Sequence, residues 1–590
     1  MADKASPVPT NVTLTGLTKD QFEPTDPPKE KTSETSSIEK VYDGTVLTNN
    51  ETTITTPGPG TPKGARFWLA FISLLFASLA ANLNATILST LLPTIVEAFD
   101  GEQDYVWVAA SFNIASTAIL PLCGQVSDIF GRRVPMITSL VLFVLGSGIL
   151  GGASGMEMLI AGRTVQGLGA GGIMMLLEII CCDLLPLRER SKYLSYIFMV
   201  NGVAVTIGPT VGGAFATKTT WRWAFYINLP IGGIAILLAI LFLNLKSPHS
   251  PSWRTSMLRI DYVGNFVFIA STCSMLVGLV MGGQIYPWSS WRVIVPIVLG
   301  GVGWIVFYLY QFTPYCKEPT MPPRLFSNRT AVSGFVFVFI SHMMLEWVVY
   351  FMPFYFQALK GASSLTSGVN TLPFNIFLIP CAGVAGGVLY KTGQYKPIHW
   401  TGFGFLSLAS GLFSTMDTGT AAVKWAFWQL FAAAGIGALI GTTLPAIQSS
   451  LPESDVASSA AVHAFLRSYG FIWGFVIPSV IFNDQINANI KIVEDPTARA
   501  LIVGGSAYSQ VDGGIRLLPA ETQTQVSRVY TLALQSIWYA ACAFSLVGFL
   551  FVFVEKKIEL RKELDTEYGL ADAKEKSGKA DGTATESQEK

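Results

Sequence analysis

Gly124-Gln125-Val126-Ser127-Asp128-Ile129-Phe130-Gly131-Arg132-Arg133 is a short charged stretch between two long apolar ones. Residues 105–123 before it and 134–153 after it carry no charged side chain. Each run is near the roughly 20 residues that cross a bilayer as a helix. A tight loop with two adjacent arginines between such runs predicts a cytoplasmic hairpin joining two membrane helices.

The rest of the chain has the same character. Of its 590 residues, 51% are hydrophobic and 13% are charged, against about 25% charged in a soluble domain. A formal net charge of zero gives nucleic acid binding no footing. The seven cysteines are odd in number and the four histidines are scattered, so neither a disulfide framework nor a metal site is expected. Residues 1–63 and 557–590 are polar, rich in charge and poor in large apolar residues, which predicts two disordered tails. The first membrane helix then doubles as the targeting signal.

Apolar runs predict an all-α membrane protein with about fourteen transmembrane helices. The expected spans are 67–92, 106–125, 134–153, 157–181, 192–216, 223–243, 261–282, 292–312, 331–355, 367–389, 397–415, 423–444, 459–482 and 530–554. Loops with Arg132 and Arg133, Arg188, Arg190 and Lys192, Lys246, Arg254 and Arg259, and Lys391 and Lys396 alternate with poorly basic ones. The positive-inside rule places the basic loops and both termini in the cytoplasm. A long outer loop, 483–529, is expected to carry a short surface helix near Ala520–Arg528.

The opening loop has a twin. Gly386-Gly387-Val388-Leu389-Tyr390-Lys391-Thr392-Gly393-Gln394-Tyr395-Lys396-Pro397 aligns on residues 124–135 without gaps, matching at Gly124/Gly386, Val126/Val388, Gly131/Gly393 and Pro135/Pro397. Parallel repeats of six spans are a transporter plan with the substrate site between the halves. The twin follows the tenth expected span rather than the eighth, so two spans are interposed. This divides the chain into an N-terminal half at 64–245, a linker with two extra spans at 246–325, and a C-terminal half at 326–556.

The loop resembles the signature loop of the major facilitator superfamily, and further segments resemble its fourteen-span drug:proton antiporter branch, especially fungal members. Arg163-Thr164-Val165-Gln166-Gly167 is similar to the motif of span four. Asn201-Gly202 through Gly208-Pro209-Thr210-Val211-Gly212-Gly213 is similar to the antiporter motif of span five, and Trp221 through Pro230 to the start of span six. The resemblance implies a major facilitator fold of two six-helix halves plus two interposed helices. It also implies export of small, largely apolar organic molecules by proton antiport with alternating access. A plasma membrane location follows from export, with the vacuolar membrane as the alternative. A monomer in the lipid bilayer, working on a small-molecule substrate and protons without a cofactor, is expected.

Candidate residues fall into three groups. For gating, the resemblance gives the loop of Asp128, Gly131, Arg132 and Arg133 the role of locking the outward-facing state, with Glu178 or Asp183 as the partner carboxylate. Gly208, Pro209, Gly212 and Gly213 can form a kink or a close helix seal. For proton coupling, His342 and Glu346 stand at i and i+4 near the middle of span nine, and Arg163 lies inside span four; ionisable residues at such depth default to functional hypotheses. For the substrate cavity, Asn84, Gln166, Asn228, Gln357, Asn370 and Asn375 offer hydrogen bonds. His463 and Arg467, another i, i+4 pair, are expected to snorkel toward the inner loop.

One departure from the antiporter pattern bears on coupling. The branch has Leu-Asp-x-Thr-Ile in span one, and this chain reads Leu83-Asn84-Ala85-Thr86-Ile87. Asn84 cannot titrate. An importer or uniporter of a nutrient, and a membrane sensor that transports nothing, therefore stay open. Gly167-Leu168-Gly169-Ala170-Gly171-Gly172 matches a dinucleotide fingerprint formally, but it follows no soluble strand and reads as a packing face. No Walker A loop, H-E-x-x-H or G-x-S-x-G motif is present, so the chain is not expected to be an enzyme.

Overall fold

A computed structural model describes residues 64–99, 105–245, 256–283, 285–316, 318–502 and 518–560. Both expected tails lie outside these residues, apart from 557–560. The first half contains α1 (Ala65–Phe99), α2 (Tyr105–Ala118), α3 (Leu120–Phe130), α4 (Arg133–Gly151), α5 (Met156–Leu184), α6 (Leu187–Lys218), α7 (Trp223–Tyr226) and α8 (Asn228–Phe242). The linker forms α9 (Tyr262–Met281) and α10 (Trp291–Gln311). The second half contains α11 (Arg329–Lys360), α12 (Ser364–Asn370), α13 (Leu372–Thr392), α14 (Lys396–Phe413), α15 (Ala422–Ile440), α16 (Thr443–Ser449), α17 (Val456–Asn489), α18 (Pro496–Ile502) and α19 (Ala520–Val554).

Each expected span falls on helix, with ends that differ by up to 10 residues, as at Ala520–Val554 against the expected 530–554. Among the described residues, 11 helical segments are long and apolar enough to cross a membrane. Segments 105–130, 187–218 and 396–413 are also helical and are not among these 11. The first is interrupted between α2 and α3, where Pro121 at the start of α3 has no backbone N–H to continue the ladder. The surface helix expected near Ala520–Arg528 is instead the opening of α19, which runs unbroken into the last span. Nothing between Ala520 and Tyr530 breaks a helix, so the polar turns extend the apolar ones.

Both halves pack their helices in the same pattern. In the first half α1 lies against α6 and α8, α5 against α2 and α4, and α4 against α8. In the second, α11 lies against α17 and α19, α15 against α13 and α14, and α14 against α19. Small residues set the register. Gly169 and Gly171 of α5 leave no room for a Cβ against α4 and α2, the latter at Ser116 and Ile119. Gly435 and Gly437 of α15 meet α14 and α13 in the same way, the latter at Leu378 and Cys381. Ser116 and Leu378, and likewise Ile119 and Cys381, are separated by the interval that relates Gly124 to Gly386. The repeat thus extends from one loop through whole helices.

The linker pair lies along the seam between α3 and α17. Gln125 of α3 donates to the Glu318 carbonyl at 2.7 Å and accepts from Asn265 at 2.8 Å. On the other side, Phe268 packs edge-on against Phe465 of α17 at 5.1 Å and Trp304 packs at a tilt against Tyr469 at 4.9 Å. The outward surface of α10, with Leu299, Ile305 and Leu309, stays exposed, as suits a helix facing lipid.

The twin loops differ in backbone. Gly131 sits at φ 79°, ψ 169°, a region essentially confined to glycine. Gly393 sits at φ 68°, ψ 10°, where Asn is tolerated. Gly131→Ala should therefore cost about 1–3 kcal/mol and visibly lower the thermal unfolding midpoint in detergent. Gly393→Asn should leave that midpoint nearly unchanged. Equal midpoints for the two variants would contradict this reading of the loops.

Candidate transport and gating sites

Arg132 is the hub of the charged loop. The turn at Gly131 lets α4 start at once and folds Arg132 back over the end of α3. Its side chain is 2% exposed. It bonds Asp128 Oδ1 and the Ser127 carbonyl through Nη1 and Asp183 Oδ2 through Nε, each at 2.7 Å. Burial pushes the Asp128 carboxyl above its usual range, and the Arg132 charge pulls it back down. Arg133 turns elsewhere and donates to the Ile240 carbonyl of α8. Of the two carboxylates offered as partners for the loop, the structure brings Asp183 to Arg132.

Glu178 joins the two halves instead. It accepts from His463 Nδ1 at 3.0 Å and pairs with Arg467, both on α17. His463 Nε2 also lies 3.3 Å from Thr443 Oγ1. Arg467 and His463 are buried, at 9% and 2% exposure, so the expected snorkelling is replaced by an internal pair. The reason is a carboxylate within reach: a buried cation is better served by a fixed anion than by a stretched stem. Further contacts join the halves nearby. Arg190 Nη1 donates to Gln448 Oε1 at 2.7 Å, Ser191 Oγ to the Gly441 carbonyl at 2.9 Å, and Gly124 abuts Ala461. All lie between mid-bundle and the face that carries Arg132, Arg133, Lys391 and Lys396. Gly202 meets Ile379 of α13 near the middle. Gly208 and Gly212 are buried in α6, which runs through them as continuous helix; the side-chain surroundings of Pro209 and Gly213 lie outside the description.

A second polar cluster lies within the first half. Arg163 donates to the Val108 carbonyl at 3.0 Å and to Gln166 Oε1 at 2.9 Å, and its guanidinium lies 4.2 Å above the Phe112 ring. Asn84 donates to the same Gln166 oxygen at 2.9 Å, Gln166 donates to Ser147 Oγ at 2.8 Å, and Asn228 donates to Asn84 Oδ1 at 3.3 Å. Asn84, Gln166 and Asn228 were expected to line a cavity. They are at most 1% exposed and bond one another, because polar groups in an apolar bundle close their own network. No carboxylate joins it among the described residues.

Glu346 and His342 share a face of α11 but do not bond each other. His342 Nδ1 lies 2.8 Å from the Val338 carbonyl of its own helix, and Phe471 packs on its ring at 5.3 Å. His463 of the cross-half pair lies within electrostatic range of His342. Glu346 is partly exposed beside Gly474 of α17, with no hydrogen bond or ion pair among the described residues. Gln357 donates to Ser367 Oγ at 3.2 Å near the opposite end of α11. The Asn370 carbonyl accepts from Gln429 at 3.0 Å, and Asn375 is exposed on α13.

Two features escaped the sequence reading. Asn82 of α1 donates to Asn201 Oδ1 of α6 at 2.8 Å, with Ser78 on the same oxygen, and both asparagines are half-buried at mid-helix. The i, i+4 spacing of Ser78 and Asn82 in an apolar helix was the available signal. The other is Gln429, fully buried on α15.

The comparisons with known proteins agree with this architecture. The model of the Major Facilitator Superfamily matches residues 74–257. The MFS efflux transporter aclA of Aspergillus oryzae is 48% identical over 508 residues, 86% of this chain and 92% of the relative. The chain belongs to the major facilitator superfamily. Another relative, the efflux pump FUS6 of Gibberella fujikuroi, is 41% identical over 519 residues, 87% of this chain and 93% of its own. Among solved major facilitator structures, the proton:xylose symporter XylE shares the fold with a TM-score of 0.53 at 14% identity, covering 84% of this chain and 98% of that one.

If Glu178 holds the halves together, Glu178→Gln should loosen the face that carries Arg132. Cys182 lies against Gln448 at this junction and is fully buried. Its alkylation by a maleimide, read by mass spectrometry in the full chain, should become several-fold faster in the variant. An unchanged rate would show that Glu178 does not hold the junction.

Proposed function

We propose that this major facilitator protein is a secondary active exporter of small, largely apolar organic compounds, driven by proton entry. The observation that carries the export reading is its 48% identity to an efflux transporter over nearly the whole of both chains. Alternating access about a midplane site between the halves is the mechanism. The face bearing Arg132 and Arg133 is cytoplasmic, as its basic loops favour, with fourteen spans, both termini inside and a plasma membrane location. In this arrangement Glu178 with Arg467 and His463, and Arg132 with Asp183 and Asp128, hold the cytoplasmic side shut. Protonation or substrate binding then shifts the balance between the two arrangements.

Glu346 is the coupling carboxylate in this reading. The span-one position that would carry an acid holds Asn84, and the cluster around Arg163 contains no carboxylate or histidine among the described residues. Glu346 stands at mid-span without a cationic partner among the described residues, so proton uptake there neutralises a charge in an apolar setting. Asn84 also gives the uncoupled carrier its one point of support.

Everted membrane vesicles with an imposed pH gradient test the proposal. Wild-type vesicles should accumulate an apolar test compound, and a protonophore should collapse that accumulation. Glu346→Gln should abolish the gradient-driven component while the protein still folds and inserts. Accumulation that ignores the protonophore, or coupling that survives in Glu346→Gln, would overturn antiport through this residue.

A further inference from the structure

The repeat relates Arg163 to Gln429. Arg163 precedes Gly169 and Gly171 by the same steps that separate Gln429 from Gly435 and Gly437, and those glycines hold equivalent helix contacts. The neighbouring residues agree. Arg163 donates to the Val108 carbonyl and Gln429 to the Asn370 carbonyl, and these two residues are separated by the Gly124–Gly386 interval. Phe112, beneath the guanidinium, corresponds in the same way to Phe374.

The two positions differ in what fills them. In the first half a guanidinium covers Phe112. In the second half the shorter glutamine leaves a cavity of about 30 Å³ lined by Gln429, Phe374, Thr371, Asn375, Met352 and Val349. That is room for one water-sized group. Gln429 is 0% exposed, and its Oε1 has no hydrogen-bond partner among the described residues. The Asn370 carbonyl needs a donor, so it fixes the amide with nitrogen toward itself and leaves the oxygen as an acceptor. A buried acceptor without a donor is costly unless a ligand or water supplies one.

We propose that this cavity is a substrate subsite that takes a neutral hydrogen-bond donor, a hydroxyl or N–H group, on an apolar molecule. Gln429 Oε1 accepts the hydrogen bond from the donor group, which alone enters the cavity, and the apolar body rests at its mouth against the exposed Val349. The lining holds no carboxylate, so a neutral donor enters without the cost of an unpaired charge. Val349 lies at i+3 from Glu346 on α11, so a ligand seated here extends toward the coupling carboxylate. The subsite rests on the export reading and adds to it the chemistry of the compound carried.

The probes are 7-hydroxycoumarin and its 7-methyl ether, which differ in one donor. Their binding to the full chain in lipid nanodiscs is measured by equilibrium dialysis, independently of transport. Wild type should prefer the hydroxyl compound by about tenfold, the worth of one net hydrogen bond. Gln429→Met removes the acceptor and should erase the preference. Gln429→Arg copies the first half, fills the cavity over Phe374 and should erase it too, which guards against a folding defect peculiar to one variant. Equal affinities in wild type, a preference retained in both variants, or no binding of either probe would overturn the subsite. A tenfold preference lost in the variants, alongside vesicles that fail to export, would sink the export reading and leave the subsite standing.

Discussion

Lipid offers a buried charge neither water nor a counterion, so an arginine inside this bundle, which cannot shed its proton, must be met by protein. The chain meets that demand in three ways. Arg132 is enclosed by two carboxylates of its own half. Arg163 is held by a carbonyl, an amide oxygen and a ring, with no anion. Arg467 reaches across the bundle to Glu178 of the other half. Only the third ties the conformation of the whole protein to one ion pair. Removing one member of such a buried pair typically costs about 3–5 kcal/mol, which is enough to redistribute two arrangements that differ by a few kcal/mol.

The halves repeat one helix packing and diverge in chemistry. Glycines at equivalent depths of α5 and α15 keep the helix packing the same. Asp128 and Arg132-Arg133 of the first loop align with Tyr390 and Gln394-Tyr395 of the second, so the arginine–carboxylate cluster of the loop is not repeated. Arg163 and Gln429 repeat this asymmetry at mid-bundle, where one half is filled and the other is left with room. Inexact copies of one scaffold thus give a fixed polar anchor on one side and an unfilled acceptor on the other.

Helices and their order were legible in the sequence because lipid-spanning helices must be long, apolar and uncharged, a signal confined to neighbouring residues. The loop repeat was legible because a tight turn needs Gly and Pro at set positions. What escaped was pairing at a distance. His463 and Glu178 are 285 residues apart, and the helix pattern around Arg467 looks the same whether its side chain reaches for the loop or for α5. The spacing of His342 and Glu346 was read correctly as one face, yet the carbonyl of Val338, a turn back, satisfies His342 first. Gln429 was invisible because glutamine shares no sequence pattern with arginine; only the equivalent contacts of the glycines relate them.

The central claim is that the Glu178–Arg467–His463 cluster holds the two halves together on the side of the charged loop. Electron–electron spin distance measurement tests it most directly, with one label at Val134 on α4 and the other at Thr392 on α13, both exposed and on different halves. In wild type a single short distance should dominate, and Glu178→Gln should shift a large part of the population to a longer one. An identical distribution in the two proteins would contradict the account.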